Sequence, residues 1–197
     1  QGNLVELDEK ISYEEAALVE PLSCVFNGQS RVNIELGDTV LIIGAGPIGI
    51  MHAFLAKIQG AVKVFMNDLS EDRLALCKEL DPDIITVTSA ELKEKIMAET
   101  KGNGVDVSII AAPSPEAQSS AIELMNMNGR VLFFGGLPKD RENVQLNSNT
   151  IHYKQLAVHG SARASLIQYR KSLALVENGL IPMKKIISSR FKLDEIN

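Results

Sequence analysis

The chain has 197 residues, 45% of them hydrophobic and 23% charged, with a formal net charge of −5. That length suits one full hydrophobic core, or one domain with pieces of another. The acidic balance, with no basic run interleaved with aromatics, speaks against nucleic acid as a partner. No apolar stretch reaches the roughly 18 to 20 residues of a membrane helix.

Cys24 and Cys77 are the two cysteines. Without C-x-x-C spacing they read as small helix residues in a reducing compartment, the cytoplasm. The chain opens on Gln1 rather than Met, so it is expected to begin inside a longer protein.

Residues 1–11 are expected to be extended. Ser12 and Glu15 are spaced as a capping box for a helix through Val19, which Pro21 should kink or restart, giving a second helical piece over 22–29. A turn at 35–38 leads into the apolar run 39–43, then G-x-G-x-x-G at Gly44, Gly46 and Gly49, then an apolar helix ending at Gly60. Strands follow at 62–67, 84–87, 105–111 and 130–134, with helices between them at 71–80, 90–100 and 115–127. Asn128-Gly129 is read as the stop of that last helix. Two further strands are expected at 144–147 and 155–160, then a helix over 165–178 and an extended piece over 186–191. Alternating strands and helices imply right-handed crossovers and an α/β fold with a doubly wound parallel sheet of the Rossmann kind, strand order 3-2-1-4-5-6.

The stretch 39–49 carries the chemistry. Strand, glycine turn and helix are the context that a dinucleotide fingerprint requires. Gly44 allows the sharp turn, Gly46 lets backbone approach a pyrophosphate, and Gly49 brings the helix close to the sheet. Pro47 and Ile48 open the helix, whose free N–H groups and dipole face an anion. Asp68 lies 19 positions after Gly49, placed to accept from the adenosine ribose and to repel a 2′-phosphate, so NAD is expected over NADP. Arg73 is placed near the adenine or in solvent. The strand ends Ala111-Ala112-Pro113 and Phe134-Gly135-Gly136 should open on the same crevice. Glu20, an acid directly before a proline, reads on spacing alone as a surface glutamate at a kink.

Taken together, 16–22 (A-A-L-V-E-P-L), 44–49 (G-A-G-P-I-G), 68–70 (D-L-S), 113–118 (P-S-P-E-A-Q), 133–138 (F-F-G-G-L-P) and 151–153 (I-H-Y) make the chain resemble the zinc-dependent medium-chain alcohol dehydrogenases, in their polyol, sorbitol dehydrogenase-like branch. The resemblance implies hydride transfer between a polyol or secondary alcohol and NAD, aided by zinc acting as a Lewis acid. It implies Glu20 beside that metal, directly or through water. It also implies a homodimer or homotetramer joined at an edge strand, for which 144–147 is the candidate.

The family's cysteine ligand, its Gly-His-Glu segment and its structural zinc lobe are not in this sequence. The chain is therefore expected to be the nucleotide-binding domain, 21–184, flanked at 1–20 and 185–197 by segments of a missing GroES-like catalytic domain. No catalytic residue is assigned within it. His52 is expected to be packed rather than ligating. Alternatives are a zinc-free medium-chain reductase, a methyltransferase, which also pairs a glycine loop with an acid, and a non-enzymatic nucleotide-binding module. Short-chain dehydrogenase chemistry is disfavoured because no Y-x-x-x-K occurs.

Overall fold

The computed structural model describes residues 4–195. Six parallel strands form one sheet: β1 (Thr39–Ile43), β2 (Lys63–Asp68), β3 (Ile85–Thr88), β4 (Val105–Ile110), β5 (Met125–Phe133) and β6 (Ala157–Gly160). Their order is β3-β2-β1-β4-β5-β6, the doubly wound order expected from the alternation of strands and helices. Nine α-helices are described: α1 (Tyr13–Ala17), α2 (Val19–Val32), α3 (Pro47–Gln59), α4 (Glu71–Leu80), α5 (Leu92–Glu99), α6 (Pro115–Glu123), α7 (Ser148–Tyr153), α8 (Leu166–Glu177) and α9 (Met183–Ile186).

The β1 sequence explains why helices cover both faces. Val40 and Ile42 point to one side, where they meet Val64, Met66, Val107, Ile109 and the Ala53–Ala56 ridge of α3. Leu41 and Ile43 point to the other, against Phe65, Val87, Ile110 and the α5–α6 residues Ile96, Ala121 and Ile122. A strand apolar at every position is buried on both faces. A third cluster joins Val19, Leu22 and Val25 of α2 to Ile50, Met51 and Leu55 of α3 and to Leu173 and Val176 of α8. It thus fixes α2 beside the glycine-turn helix.

Four expectations change. The first helix breaks at Leu18, and Pro21 sits in the first turn of α2. There its missing N–H has no intrahelical partner to lose, so α2 runs unbroken to Val32. Helix α6 stops at Glu123, and Met125 already belongs to β5, fully buried and paired with Val105. The Asn128-Gly129 break falls inside that strand, at a register shift, with Asn128 at φ 58.

Residues 144–147 form no strand. Val144 and Leu146 are half-buried, Ser119 donates to the Gln145 carbonyl at 2.8 Å, and Asn147 caps α7 through a bond from Thr150 N. On that side of the sheet the edge strand is β6, and β3 is the edge on the other. Finally, 186–191 begins in α9 rather than as an extended piece.

The line drawn at residue 20 falls in the first turn of α2, and that at 184 falls inside α9. The two flanks meet: the Arg190 guanidinium donates twice to Glu14, at 2.7 and 2.9 Å. Ser12 and Glu15 form the expected capping box, and the Ser12 hydroxyl bond holds the Glu15 carboxyl below its ordinary value. Cys77 is buried, which pushes its thiol up to about 11, whereas Cys24 is half-buried; both are free. No described helix is long and apolar enough to cross a membrane.

Candidate functional site

The carboxyl end of β1 sets the site. Gly44 turns the chain at φ +112, with the Ala111 carbonyl carbon only 3.2 Å from where a Cβ would sit. Gly49 packs so closely that a Cβ would lie 1.7 Å from the Gly44 carbonyl oxygen. Gly46 differs: no protein atom lies within 4 Å of its would-be Cβ. It is the N-cap of α3, followed by Pro47 at N1, and no side chain caps the helix. The first-turn N–H groups beyond Pro47 therefore face open space, the arrangement that receives a phosphate.

Asp68, at the end of β2, reaches back to this turn. Its Oδ2 accepts from Ala45 N at 2.7 Å and its Oδ1 from Ser70 N at 2.9 Å. The carboxylate therefore pins the glycine loop as well as lining the crevice, a role that spacing did not reveal. Each oxygen keeps a second lone pair for a hydroxyl. Arg73 Nη1 lies 3.7 Å from Asp68 Oδ2, on a side chain 62% exposed. Beside them opens a cavity of about 760 Å³, lined by Gly44, Asp68, Arg73, Ala112, Ser114 and Glu116 among others. Ser114 caps α6 and donates to Glu116 at 2.6 Å, holding that carboxyl below its ordinary value.

The other predicted positions lie around this crevice rather than in the cavity wall. Ala111 N donates to the Ile43 carbonyl at 2.8 Å, tying the β4 end to β1. Pro113 is exposed. Phe134 N and Gly135 N both donate to the Ile110 carbonyl. Gly135 packs against Ala112, whose oxygen is 3.0 Å from a would-be Cβ, and Gly136 is open. The Phe134 ring does not face the cavity. It turns between α2 and α3 and meets His52 edge-on, centroids 4.6 Å apart.

His52 is packed, as expected. It is fully buried in α3, and desolvation lowers its pKa to about 3. Its Nδ1 lies 3.1 Å from Gln29 Nε2, which also donates to the His52 carbonyl at 2.7 Å. With Gln29 as donor, Nδ1 is the acceptor and the proton sits on Nε2, which has no partner among the described residues. This pair joins α2 to α3, and nothing in the linear spacing of Gln29 and His52 announced it.

Glu20 stands apart from the nucleotide crevice. It is exposed in the first turn of α2, and the Cys24 thiol one turn on donates to its Oε1 at 3.6 Å. It lines a second cavity of about 740 Å³ with Ser23, Arg163, Ser165 and Tyr169. Among the described residues no three His, Cys, Asp or Glu side chains converge on a metal-sized site. Among the residues lining that second cavity, Glu20 is the one carboxylate.

Residues 47–178 match the family described as zinc-binding dehydrogenase. The chain is 35% identical over 195 residues to a sorbitol dehydrogenase of Bombyx mori, covering 96% of this chain and 55% of that one. To a sorbitol dehydrogenase of Bacillus subtilis it is 30% identical over 190 residues, covering 96% and 53%. Among solved structures, a protein described as a short chain alcohol dehydrogenase of Escherichia coli CFT073, complexed with NADH, superposes at TM-score 0.87 with 25% identity, over 98% of this chain and 56% of that one. A zinc-binding dehydrogenase of Sinorhizobium meliloti 1021 bound to NADP superposes at TM-score 0.83 with 28% identity, over 93% and 54%. The chain spans about half the length of the curated relatives it matches.

Proposed function

The chain belongs to the zinc-binding dehydrogenase family, and from that premise we propose that it is the nucleotide-binding half of an NAD-dependent polyol or secondary-alcohol dehydrogenase. The observation that carries this reading is the open face of Gly46 at the uncapped start of α3, joined through Ala45 to Asp68 and the 760 Å³ cavity. The pyrophosphate of NAD docks on the α3 N–H groups. Its adenosine ribose donates to the free lone pairs of Asp68, and its adenine enters the cavity, which is apolar over much of its wall. A 2′-phosphate beside the Asp68 carboxylate meets like charge, and the Arg73 guanidinium is drawn to that same carboxylate, so NAD is favoured over NADP.

The substrate is a small alcohol or polyol, which gives up hydride to the nicotinamide and a proton to solvent. Glu20 contributes a carboxylate beside the family's zinc, whose remaining ligands come from residues outside this chain. The segments 4–20 and 185–195 pack with that catalytic part. Assembly into a homodimer or homotetramer uses β6, an exposed sheet edge, where a second copy continues the ladder and removes an unpaired edge. Two free thiols suit the cytoplasm.

The whole protein tests the reading. It should reduce NAD with a polyol, lose that activity on thorough metal removal, and regain it on adding zinc. Undiminished turnover after metal removal would contradict the zinc assignment and favour a zinc-free reductase.

A further inference from the structure

Among the described residues five non-glycine residues have positive φ, and four have local reasons. Asn33 caps α2, and Lys101 and Gln155 follow the caps of α5 and α7, where left-handed backbone is ordinary. Asn128 marks the β5 register shift, and asparagine tolerates the conformation. Arg163, at φ 61, ends no helix. It lies in the link between β6 and α8 and is held there by other elements. Asn27 of α2 donates to the Arg163 carbonyl at 2.9 Å, and Gln168 of α8 donates to Asn27 Oδ1 at 2.9 Å. An arginine fixed by its neighbours in unfavourable backbone is an outlier that calls for a functional reason.

Its side chain gives one. Arg163 lines the 740 Å³ cavity that also holds Glu20, Ser23, Ser165 and Tyr169. No ion pair among the described residues engages it, not even with Glu20 across the same cavity. The amino end of α8, whose dipole favours negative charge, opens beside it through Ser165. Arg163 is exposed among the residues that line this cavity, and a guanidinium with no ion-pair partner among the described residues matches a phosphate or carboxylate by its paired donors.

We propose that the alcohol substrate carries an anionic group, phosphate or carboxylate, and that Arg163 binds it while the reacting hydroxyl lies toward Glu20. This rests on the dehydrogenase reading and narrows its substrate class from polyols at large to acidic ones.

The test is a titration of the chain already saturated with NADH, so that the α3 anion site is filled, followed by amide NMR. The probes are glucitol 6-phosphate, gluconate and neutral glucitol. At least one anionic probe should shift Ser23, Arg163, Ser165 and Tyr169 saturably, at least tenfold more tightly than glucitol, and the stronger of the two identifies the anion. Arg163→Asn, which suits the left-handed backbone, should lose that discrimination while NADH affinity is unchanged. Arg163→Lys should keep part of it. Equal binding of all three probes, no saturable shift with either anion, or discrimination that survives in Arg163→Asn overturns the proposal and leaves the nucleotide reading intact. Failure of NADH itself to bind overturns both.

Discussion

The cavity beside Asp68 and the cavity beside Glu20 are built in opposite ways. The nucleotide crevice comes from successive units of the strand–helix alternation: the β1–α3 turn, the end of β2 and the starts of α5 and α6. The Glu20 cavity gathers residues from the amino-terminal segment and α2 and, more than a hundred positions later, from the start of α8. The first is a strand–turn–helix motif with a spaced acid. The second exists only once the third core cluster has docked α2 on α3 and α8. Variants that separate folding from binding at the first cavity, and the seam from the site at the second, sharpen this contrast.

The largest effect is expected at Gly49. A Cβ there would overlap the Gly44 carbonyl oxygen, so Gly49→Ala should cost more than about 4 kcal/mol in denaturant melts, as a clash in rigid backbone does. Gly46→Val is the counterpart in the same loop. A Cβ there meets no protein atom within 4 Å, so stability should change by less than about 1 kcal/mol. NADH affinity should fall about a hundredfold or more, roughly 2.7 kcal/mol. Equal damage to stability from both variants would break the distinction between a packing glycine and a ligand-facing one.

The α2–α3 seam predicts a pH dependence. The His52 pKa is lowered to about 3 in the folded chain, whereas an unfolded histidine titrates near 6.5. Between those values the unfolded chain binds the proton and the folded one does not, so stability is full above about pH 6.5 and declines as pH falls toward 3. Between pH 6.5 and 5 the decline should be about 1.6 kcal/mol, and His52→Leu should flatten it. An unchanged pH profile in that variant would remove His52 as its source.

Asp68→Asn is the smallest. It keeps one oxygen to accept from Ala45 and loses the charge. NADH affinity should drop about tenfold, roughly 1.4 kcal/mol, and the gap to NADPH should narrow in paired titrations.

The same contrast explains what was legible in the sequence. The β1–α3 turn, the strand order and the position of Asp68 follow from pattern, because glycine spacing after a strand and the alternation of strands and helices are written in the linear sequence. Pro21 misled because proline breaks a helix interior yet is harmless in a first turn, and only the break at Leu18 shows which applies. Residues 124–127 carry an apolar pattern that suits either a helix end or a strand start, and the buried pairing of Met125 with Val105 decides it. Val144 and Leu146 alternate as a strand would, but they pack without pairing. Arg163 was invisible in S-A-R-A-S, since its backbone is set by Asn27 from 136 positions away.

The central claim is that the face left open by Gly46, with Asp68 behind it, receives NAD. Fluorescence titration of the chain with NADH and with NADPH tests it most directly. Saturable NADH binding is expected, with weaker NADPH binding and loss of the NADH signal in a Gly46→Val chain that still melts cooperatively within a few degrees of the parent. No saturable NADH binding up to millimolar concentration, or NADPH bound more tightly than NADH, would contradict it.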